Sequence, residues 1–356
     1  MSSWQRTFLR RSSGALLALG LAAAGCASLT HEAPKTAGAA DLASLANADA
    51  FAPDAPPLPG GFDTSDEASD AIREDRVRRV PDETPVPDSV SVARDVVYGE
   101  AGAYRLLLDL YAPRDATPRG AGLVFVHGGA WERHGRDYFA AWAAHFAARG
   151  YVCASIDYRI SGEAPFPSAV EDTKCAIRWM RGNASTLGID PEHIALIGQS
   201  AGAHLALMAA YTADDVGLEG SGGHASVSSR VRAVVDLYGP TDLTVPLDTK
   251  EDAVRDFLGA PRRKAPERYA EASPLAHVTP DDPATLIIHG TVDVIVPVEQ
   301  SDRLAAALGA QGIPYVYDRQ SGWHHAMDRA AAVNARCLFI VERFLERYLD
   351  YVSTAK

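Results

Sequence analysis

Apolar and polar positions alternate in two patterns from about Val90 to the end of the chain. Short apolar runs predict β-strands, and the stretches between them, in which apolar residues recur every three to four positions, predict helices. The predicted strands are RDVVYG, YRLLLDLYAP, AGLVFVHGG, YVCASIDYR, HIALIGQS, VRAVVDLYG, TLIIHG and PYVYDR. Several are nearly continuous runs of Val, Ile and Leu, which is typical of central strands buried on both faces of a sheet.

The predicted helices cover residues 137–149, 168–181, 201–211, 299–311 and 327–348. The first two strands lie only a few residues apart, which predicts an antiparallel pair, and the later alternation of strand and helix predicts parallel strands. We therefore expect an α/β fold with a mainly parallel central sheet, antiparallel N-terminal strands and helices on both faces. The irregular stretch 242–282 is expected to form a small cap or insertion.

The first 26 residues differ from the rest of the chain. Arg6, Arg10 and Arg11 precede an uncharged apolar run that ends near Cys26. This order predicts a signal peptide over residues 1–26, because the apolar run is too short for a comfortable membrane span. Cys26 after AAG resembles a lipoprotein cleavage box with Ala23 in the usual place of Leu; ordinary cleavage and twin-arginine export are the alternatives. We expect an exported protein, periplasmic or anchored to the envelope through a lipid on Cys26.

Residues 27–90 carry few signals of regular structure. They are rich in Ala and Pro, and residues 31–90 contain only two aromatics, Phe51 and Phe62. This composition predicts a flexible tether and N-terminal extension, in which residues 70–80 are the one candidate for a short helix. Residues 91–356 are then expected to form a single catalytic domain.

Composition and charge exclude some partners. The chain of 356 residues is 47% hydrophobic and has a formal net charge of -12. A charge of this sign argues against nucleic acid, and against a membrane surface except through the lipid anchor. Cys153, Cys175 and Cys337 form no C-x-x-C pair, so neither a zinc site nor a disulfide framework is indicated. Buried free thiols are the plainer interpretation, and a Cys153–Cys175 bridge is the alternative.

The strongest chemical signal is IGQSAGAH, in which a predicted strand runs directly into a predicted helix. Its core, Gly198 to Gly202, is a G-x-S-x-G motif in the strand–turn–helix context that such a motif requires. A sharp turn projects the hydroxyl of Ser200 from the sheet edge, and glycines two positions away on each side avoid a collision. Ser200 is therefore the candidate nucleophile, and the backbone N–H of Ala201 is a candidate oxyanion donor.

A second signal is the strand end followed by His127, Gly128, Gly129, Ala130 and Trp131. Acyl transfer needs two donors directed at the developing oxyanion, and a glycine-rich loop lets a bare backbone approach the substrate. We expect the loop from Gly128 to Ala130 to supply the second donor, and His127 to brace the loop. Trp131 either lines the acyl pocket or anchors the loop, and Gln199 is a second candidate for the pocket wall.

The third signal is the order of three residues along the chain. Asp293 follows the strand TLIIHG, and two adjacent histidines, His324 and His325, follow the last predicted strand. Ser, then Asp, then His is the order of the α/β-hydrolase triad. Asp242 follows another strand and is the alternative acid. No group of residues has the spacing of metal ligands.

From about Val90 onward the chain resembles an α/β-hydrolase, and more narrowly the bacterial carboxylesterases of the hormone-sensitive-lipase and feruloyl-esterase-like branch. The resemblance rests on HGGAW, DYR, FPSAVEDTKCAIRWMR, GQSAGAH, YGPTDL and HGTVDVIVPVEQS. It implies a two-step serine esterase without a cofactor, and it does not fix the substrate. We expect short acyl or aryl esters, including carbohydrate-linked feruloyl or acetyl esters. HGGAW in place of HGGG also occurs in relatives of kynurenine formamidase, which keeps formamide hydrolysis open.

The resemblance also favours one of the two histidines. In the resembling family a small residue and then a large apolar one commonly follow the catalytic histidine, as Ala326 and Met327 follow His325. His325 is therefore the expected base, with His324 as the alternative. A peptidase on the same fold and a non-catalytic lipoprotein that binds a ligand remain further hypotheses, since fold alone does not separate them.

Overall fold

The computed structural model describes residues 47–81, 84–213, 215–247 and 249–349. The predicted signal peptide, the predicted lipid site at Cys26 and the first part of the predicted tether lie outside these residues. Within the described ranges, no helix is both long enough and apolar enough to cross a membrane.

An eight-stranded sheet runs through the centre of the protein. Its strands, in chain order, are β1 (Val90–Ala101), β2 (Tyr104–Pro113), β3 (Gly120–Val126), β4 (Val152–Ile156), β5 (Ile189–Gln199), β6 (Ala233–Leu237), β7 (Ala284–Gly290) and β8 (Tyr315–Gln320). Their order across the sheet is β1-β2-β4-β3-β5-β6-β7-β8. β2 is antiparallel to both β1 and β4, and all the other neighbours are parallel. The predicted mainly parallel sheet with an antiparallel start is confirmed.

Helices pack on both faces of the sheet. They are α1 (Ala48–Phe51), α2 (Ser65–Arg73), α3 (Ala140–Ala147), α4 (Ser168–Gly182), α5 (Ala184–Leu187), α6 (Ala201–Tyr211), α7 (Glu251–Leu258), α8 (Pro266–Glu271), α9 (Glu299–Gln311) and α10 (Ala331–Tyr348). α4, α6 and α9 contribute to one core, and α3 and α10 contribute to the other. Alternate residues of β3 enter opposite cores, because successive side chains of a strand point to opposite faces.

The stretch 242–282, predicted to be a cap or insertion, contains α7, α8 and two short 3-10 turns, Arg262–Lys264 and Pro274–His277. Two of its residues reach the cavity described below: Leu247 and Lys250 lie on its wall. The last helix begins four residues later than the pattern predicts. A 3-10 turn, Met327–Arg329, precedes it, after Ala326 adopts a left-handed conformation with φ +57°.

The prediction of a flexible tether is wrong from Asn47 onward. Residues 47–80, which we call the N-terminal strap, pack along β8, α10 and the loop between them, and Ala48, Ala52 and Ile72 are buried in the second core. Composition misled the prediction because the buried side chains of the strap are few and mostly small. Ala68, Ala71 and Ile72 form only a short apolar stripe on α2. Backbone hydrogen bonds and the Arg336 side chain hold other parts of the strap. The two aromatics of this segment, Phe51 and Phe62, are among the residues that pack against the core.

Candidate active site

Ser200 stands at the turn between β5 and α6. Its backbone has φ +54° and ψ -123°, a conformation that costs energy for a residue with a side chain. The surrounding structure holds it there, since the N–H of Ser200 donates to the carbonyl of Leu237 at 2.8 Å. The turn therefore exposes the hydroxyl at the carboxyl end of the sheet, as the sequence motif predicts.

The two glycines of the motif are required by close backbone contacts. A Cβ on Gly198 would collide with the backbone of Gly202, and a Cβ on Gly202 would collide with the carbonyl of Val126. Gly128 is similarly confined, since a Cβ there would lie 2.8 Å from the carbonyl of Gln199 and 3.2 Å from the Cβ of Ser200. The turn at Ser200 and the glycine-rich loop are thus in close backbone contact, which larger residues at these positions would prevent.

His325 connects the serine to the aspartate. Its Nε2 lies 2.9 Å from Ser200 Oγ, and its Nδ1 lies 2.6 Å from Oδ2 of Asp293. A carboxylate can only accept, so Nδ1 carries the proton and Nε2 is free to accept the hydroxyl proton of Ser200. The structure therefore brings these three predicted residues together, and it is His325 and not His324 that contacts both partners.

The Asp293 carboxylate is buried and fully bonded. Its Oδ1 accepts the N–H groups of Ile295 and Val296 at 2.8 and 2.9 Å, and its Oδ2 contacts His325 and His289. Burial alone would raise the pKa of Asp293, but the charge and hydrogen bonds of the two histidines outweigh it and hold the pKa well below its usual range. The carboxylate is therefore ionised wherever a neutral imidazole would act as base.

Sequence reasoning missed His289, the last polar residue of β7. It is fully buried, and its Nε2 lies 3.1 Å from Asp293 Oδ2 and 2.9 Å from the carbonyl of Val296. Since both neighbours only accept, Nε2 carries the proton, and the hydroxyl of Ser301 donates to Nδ1 at 2.7 Å. The available signal was a histidine at the end of an apolar strand, four residues before Asp293.

The two alternative residues lie away from this chain of bonds. His324 is half-buried, and its Nδ1 has no hydrogen-bond partner among the described residues. Burial lowers the pKa of His324, so it stays neutral at neutral pH. Asp242 is bound instead by Arg303 at 2.7 Å and by the backbone N–H of Thr244 at 2.9 Å, so it is a structural residue at a loop start.

The candidate oxyanion residues lie beside Ser200. Gly128, Gly129, Ala130 and Ala201 line the same cavity as the serine. Gly129, Ala130 and Trp131 all have positive φ values, 111°, 55° and 59°, which turn the loop sharply. Ser161 secures this turn by donating both its N–H and its hydroxyl to the carbonyl of Trp131, at 2.7 and 3.0 Å.

His127 braces the start of this loop, as predicted. Its Nδ1–H donates to the carbonyl of Gly128 at 2.8 Å, and its ring stacks on Tyr158 with centroids 4.3 Å apart. The hydroxyl of Tyr158 donates in turn to the carbonyl of His127 at 3.0 Å. Burial lowers the pKa of His127 to about 4, so the imidazole is neutral at neutral pH.

Trp131 fulfils both of the roles that the sequence left open. It lies on the cavity wall, and it is also buried, stacked on Phe257 with centroids 4.6 Å apart. Its Nε1–H donates to Nδ1 of His204 at 3.3 Å, while Nε2–H of His204 donates to the carbonyl of Ala272 at 2.7 Å. Burial lowers the pKa of His204 to about 4, which keeps the acceptor nitrogen free for the indole.

Gln199 also touches the cavity, but its amide faces a polar cluster formed by Tyr238 and Asp328. The amide nitrogen contacts the Tyr238 hydroxyl and lies 3.3 Å from both carboxylate oxygens of Asp328. Tyr238 donates its hydroxyl to Asp328 at 2.6 Å and packs edge-on against the His325 ring, with centroids 4.7 Å apart. The sequence did not single out Tyr238 or Asp328, because their partners are distant in the chain.

The cavity at Ser200 has a volume of about 210 Å³. Apolar side chains on its wall include Trp131, Leu247, Ile295 and Val296. The lining also contains Arg133 and Lys250 and, among the residues that the structure describes, no aspartate or glutamate. The described residues likewise contain no group of three or more His, Cys, Asp or Glu side chains that could hold a metal ion. The site therefore suits a small neutral or anionic ligand with an apolar part.

The BD-FAE family model matches residues 108–308, which include Ser200 and Asp293. The chain belongs to the BD-FAE family of α/β-hydrolase esterases. Esterase LipQ of Mycobacterium tuberculosis is 34% identical to this BD-FAE chain over 299 residues, which are 81% of this chain and 69% of LipQ. Esterase LipC of the same organism is 37% identical over 225 residues, 61% of this chain and 55% of LipC.

Solved structures agree with this family assignment. A truncated carbohydrate esterase from gut microbiota is 29% identical, with a TM-score of 0.62 over 74% of this chain and all of that one. The butyrate-bound esterase Est2 of Thermogutta terrifontis is 26% identical, with a TM-score of 0.62 over 76% of this chain and 97% of that one. This BD-FAE chain is thus a carboxylic ester hydrolase with the α/β-hydrolase fold.

Proposed function

We propose that the protein is a serine carboxylesterase with Ser200 as nucleophile, His325 as general base and Asp293 as the residue that orients the base. The observation that carries this proposal is the continuous chain of contacts, 2.9 Å from Ser200 to His325 and 2.6 Å from His325 to Asp293. Nucleophile and base lie within hydrogen-bond reach, and a third group fixes the tautomer of the base.

The reaction follows from this geometry. His325 Nε2 takes the hydroxyl proton as Ser200 Oγ attacks the ester carbonyl, whose π electrons move onto oxygen. Ala201 N–H and the loop from Gly128 to Ala130 hold that oxyanion. Collapse of the tetrahedral intermediate expels the alcohol, which takes the proton from His325, and leaves an acyl group on Ser200. Water then repeats the sequence and releases the acid.

We propose short acyl or aryl esters as substrates, including esters of carbohydrates. The small volume and partly apolar wall of the cavity support a short acyl group. The likeness to a butyrate-bound esterase and to a carbohydrate esterase supports the same choice.

A fluorophosphonate probe tests the nucleophile. We expect one covalent adduct on Ser200 in the folded protein and none in Ser200→Ala; an unlabelled wild type would overturn the enzyme proposal. A panel of p-nitrophenyl esters of increasing chain length, together with methyl ferulate, acetylated xylan and N-formylkynurenine, then ranks substrates. Faster hydrolysis of N-formylkynurenine than of every ester would make the protein a formamidase.

We also propose export with lipidation at Cys26. The proposal rests on the basic and apolar order of residues 1–26 and on the small residues before the cysteine. Mass spectrometry of the mature N-terminus tests it, because a first residue other than a modified Cys26 would contradict lipidation.

A further inference from the structure

The N-terminal strap pairs with the loop that carries His325, on both sides of the histidine. Before it, the N–H of Phe62 donates to the carbonyl of Gly322 at 2.8 Å. After it, the N–H of Val80 donates to the carbonyl of Arg329 at 2.8 Å, and Arg79 forms a β-bridge with Ala330. The loop is thus tied to the strap three residues before His325 and four residues after it.

Side chains strengthen the first of these ties. The indole N–H of Trp323, two residues before His325, donates to the carbonyl of Pro59 at 3.3 Å. The ring of Phe62 packs edge-on against the indole, with centroids 5.6 Å apart. Trp323 is fully buried, so the strap helps to shield its apolar surface from water.

The other side of the loop is bonded to the segment that carries the aspartate. The carbonyl of Trp323 accepts the N–H of Val292 at 3.1 Å, and the N–H of Gly322 donates to the hydroxyl of Thr291 at 2.8 Å. The loop residues 322–323 therefore lie between the strap and the residues next to Asp293. A displacement of the strap would therefore change the distances from His325 to Ser200 and to Asp293.

The strap itself has a firm attachment outside this loop. Arg336 of α10 donates to the carbonyl of Pro56 at 3.1 Å and to the carboxylate of Asp49 at 2.7 Å. The same guanidinium is paired with the buried Asp318 of β8 at 2.8 Å. Arg336 is buried, and its charged hydrogen bonds hold the strap in a defined place. A strap fixed in this way can in turn fix the position of the loop.

We propose, on the basis of the serine esterase function proposed above, that the N-terminal strap is a positioning element for His325. The strap touches neither the serine nor the substrate cavity; it acts through the backbone of residues 322–330. Since a displacement of a reacting group by about 1 Å can cost on the order of a hundredfold in rate, small shifts of this loop matter for catalysis. Displacing the strap is expected to lower kcat in a protein that stays folded.

Two adjacent glycines of the strap provide a matched test in the full chain. A Cβ on Gly61 would collide with the backbone of Ser321 and Gly322, whereas a Cβ on Gly60 would meet nothing within 4 Å. We expect Gly61→Ala to lower kcat for p-nitrophenyl butyrate by about tenfold or more, with KM changed by less than about twofold. Gly60→Ala is expected to retain the wild-type kcat.

An effect on activity must be distinguished from an effect on stability. Active sites are counted by fluorophosphonate titration, so that kcat refers to folded enzyme. The Tm of each variant is also measured. Ile340→Val, which removes a methylene from the core beneath α10, serves as a control that lowers Tm and leaves kcat unchanged. If Gly61→Ala likewise lowers only Tm, the strap is merely structural and the proposal is wrong.

A milder variant covers the case in which Gly61→Ala does not fold. Phe62→Leu keeps the backbone bond to Gly322 and removes the ring contact with Trp323, and we expect a smaller fall in kcat at constant KM. An unchanged kcat in Phe62→Leu would overturn the proposal in that case. If the wild type hydrolyses no ester, the proposed function is wrong. If the wild type is active and Gly61→Ala has the same kcat, only the positioning role is wrong.

Discussion

His289 and His325 contact the same carboxylate oxygen, Oδ2 of Asp293, at 3.1 and 2.6 Å. His325 is partly buried and lines the cavity, while His289 is fully buried. The buried His289 therefore holds Asp293 from the protein interior, and the same carboxylate oxygen contacts His325 on the side of the cavity. The proposed role of Asp293 depends on its carboxylate staying ionised, and His289 supports that state.

The first prediction concerns this shared oxygen. Asp293→Asn is expected to lower kcat by roughly 10⁴-fold, because an amide stabilises the wrong tautomer of His325 and cannot balance its positive charge. His289→Asn removes one hydrogen bond to the ionised Asp293 carboxylate and should lower kcat at about pH 8 by about tenfold, far less than Asp293→Asn. Its defect should grow as pH falls, since the pKa of Asp293 rises without His289. A defect of His289→Asn that does not change with pH would contradict this role.

The second prediction separates the adjacent histidines. His325→Ala removes the base from Ser200 and is expected to lower kcat by about 10³-fold or more. His324→Ala should keep most of the activity, because the ring of His324 contacts neither Ser200 nor Asp293. Steady-state kinetics on p-nitrophenyl butyrate with titrated sites decides between them. The opposite result would move the base by one residue.

The third prediction concerns the anchor of Trp131. His204→Leu leaves the buried indole N–H without an acceptor, which is expected to lower the free energy of unfolding by about 1–3 kcal/mol. The loosened indole should also raise KM for butyryl esters more than for acetyl esters, since Trp131 lines the cavity. Urea unfolding and the two KM values measure these effects.

Trp131→Phe provides the matched control, because it removes the donor together with the need for an acceptor. In that background, His204→Leu should cost less stability than it does alone. Additive losses of stability would show that the bond between the indole and His204 contributes little.

The fourth prediction concerns Asp236, which is buried at the end of β6. Its Oδ1 accepts the N–H of Gly239 at 2.7 Å, and its Oδ2 has no partner among the described residues. Burial raises the pKa of Asp236 to about 7. Because the unfolded value is about 3.9, the stabilising contribution of the protonated form is complete below about pH 4 and is lost as pH rises through about 7.

Asp236→Asn keeps the acceptor for Gly239 and cannot ionise. Relative to the wild type, this variant should therefore gain stability as pH rises from about 4 to 8. Urea unfolding of both proteins at several pH values measures the difference. A difference that is independent of pH would show that Asp236 does not titrate in this range.

Much of the fold and of the site could be predicted from local sequence patterns. Continuous apolar runs mark the buried strands, and the helix stripes mark the faces that cover them, because burial follows a short period along the chain. The turn at Ser200 could be predicted for a similar reason, since close backbone contacts require glycine at both flanking positions. The sequence did not show which aspartate contacts the histidine: in the structure Asp242 pairs with Arg303, and Asp293 contacts His325.

The sequence by itself determined the alternating strands and helices, the serine turn, the glycine-rich loop and the order of Ser200, Asp293 and a following histidine. These features depend on near neighbours in the chain. Only the tertiary structure decided that His325 is the residue in contact with Ser200, that His289 shares Asp293, and that the N-terminal strap folds against the histidine loop. Ser200 and His325, and the strap and the histidine loop, are far apart along the chain, so no local pattern encodes their contacts. His289 and Asp293 are only four positions apart, but their contact depends on the tertiary fold of the loop after β7.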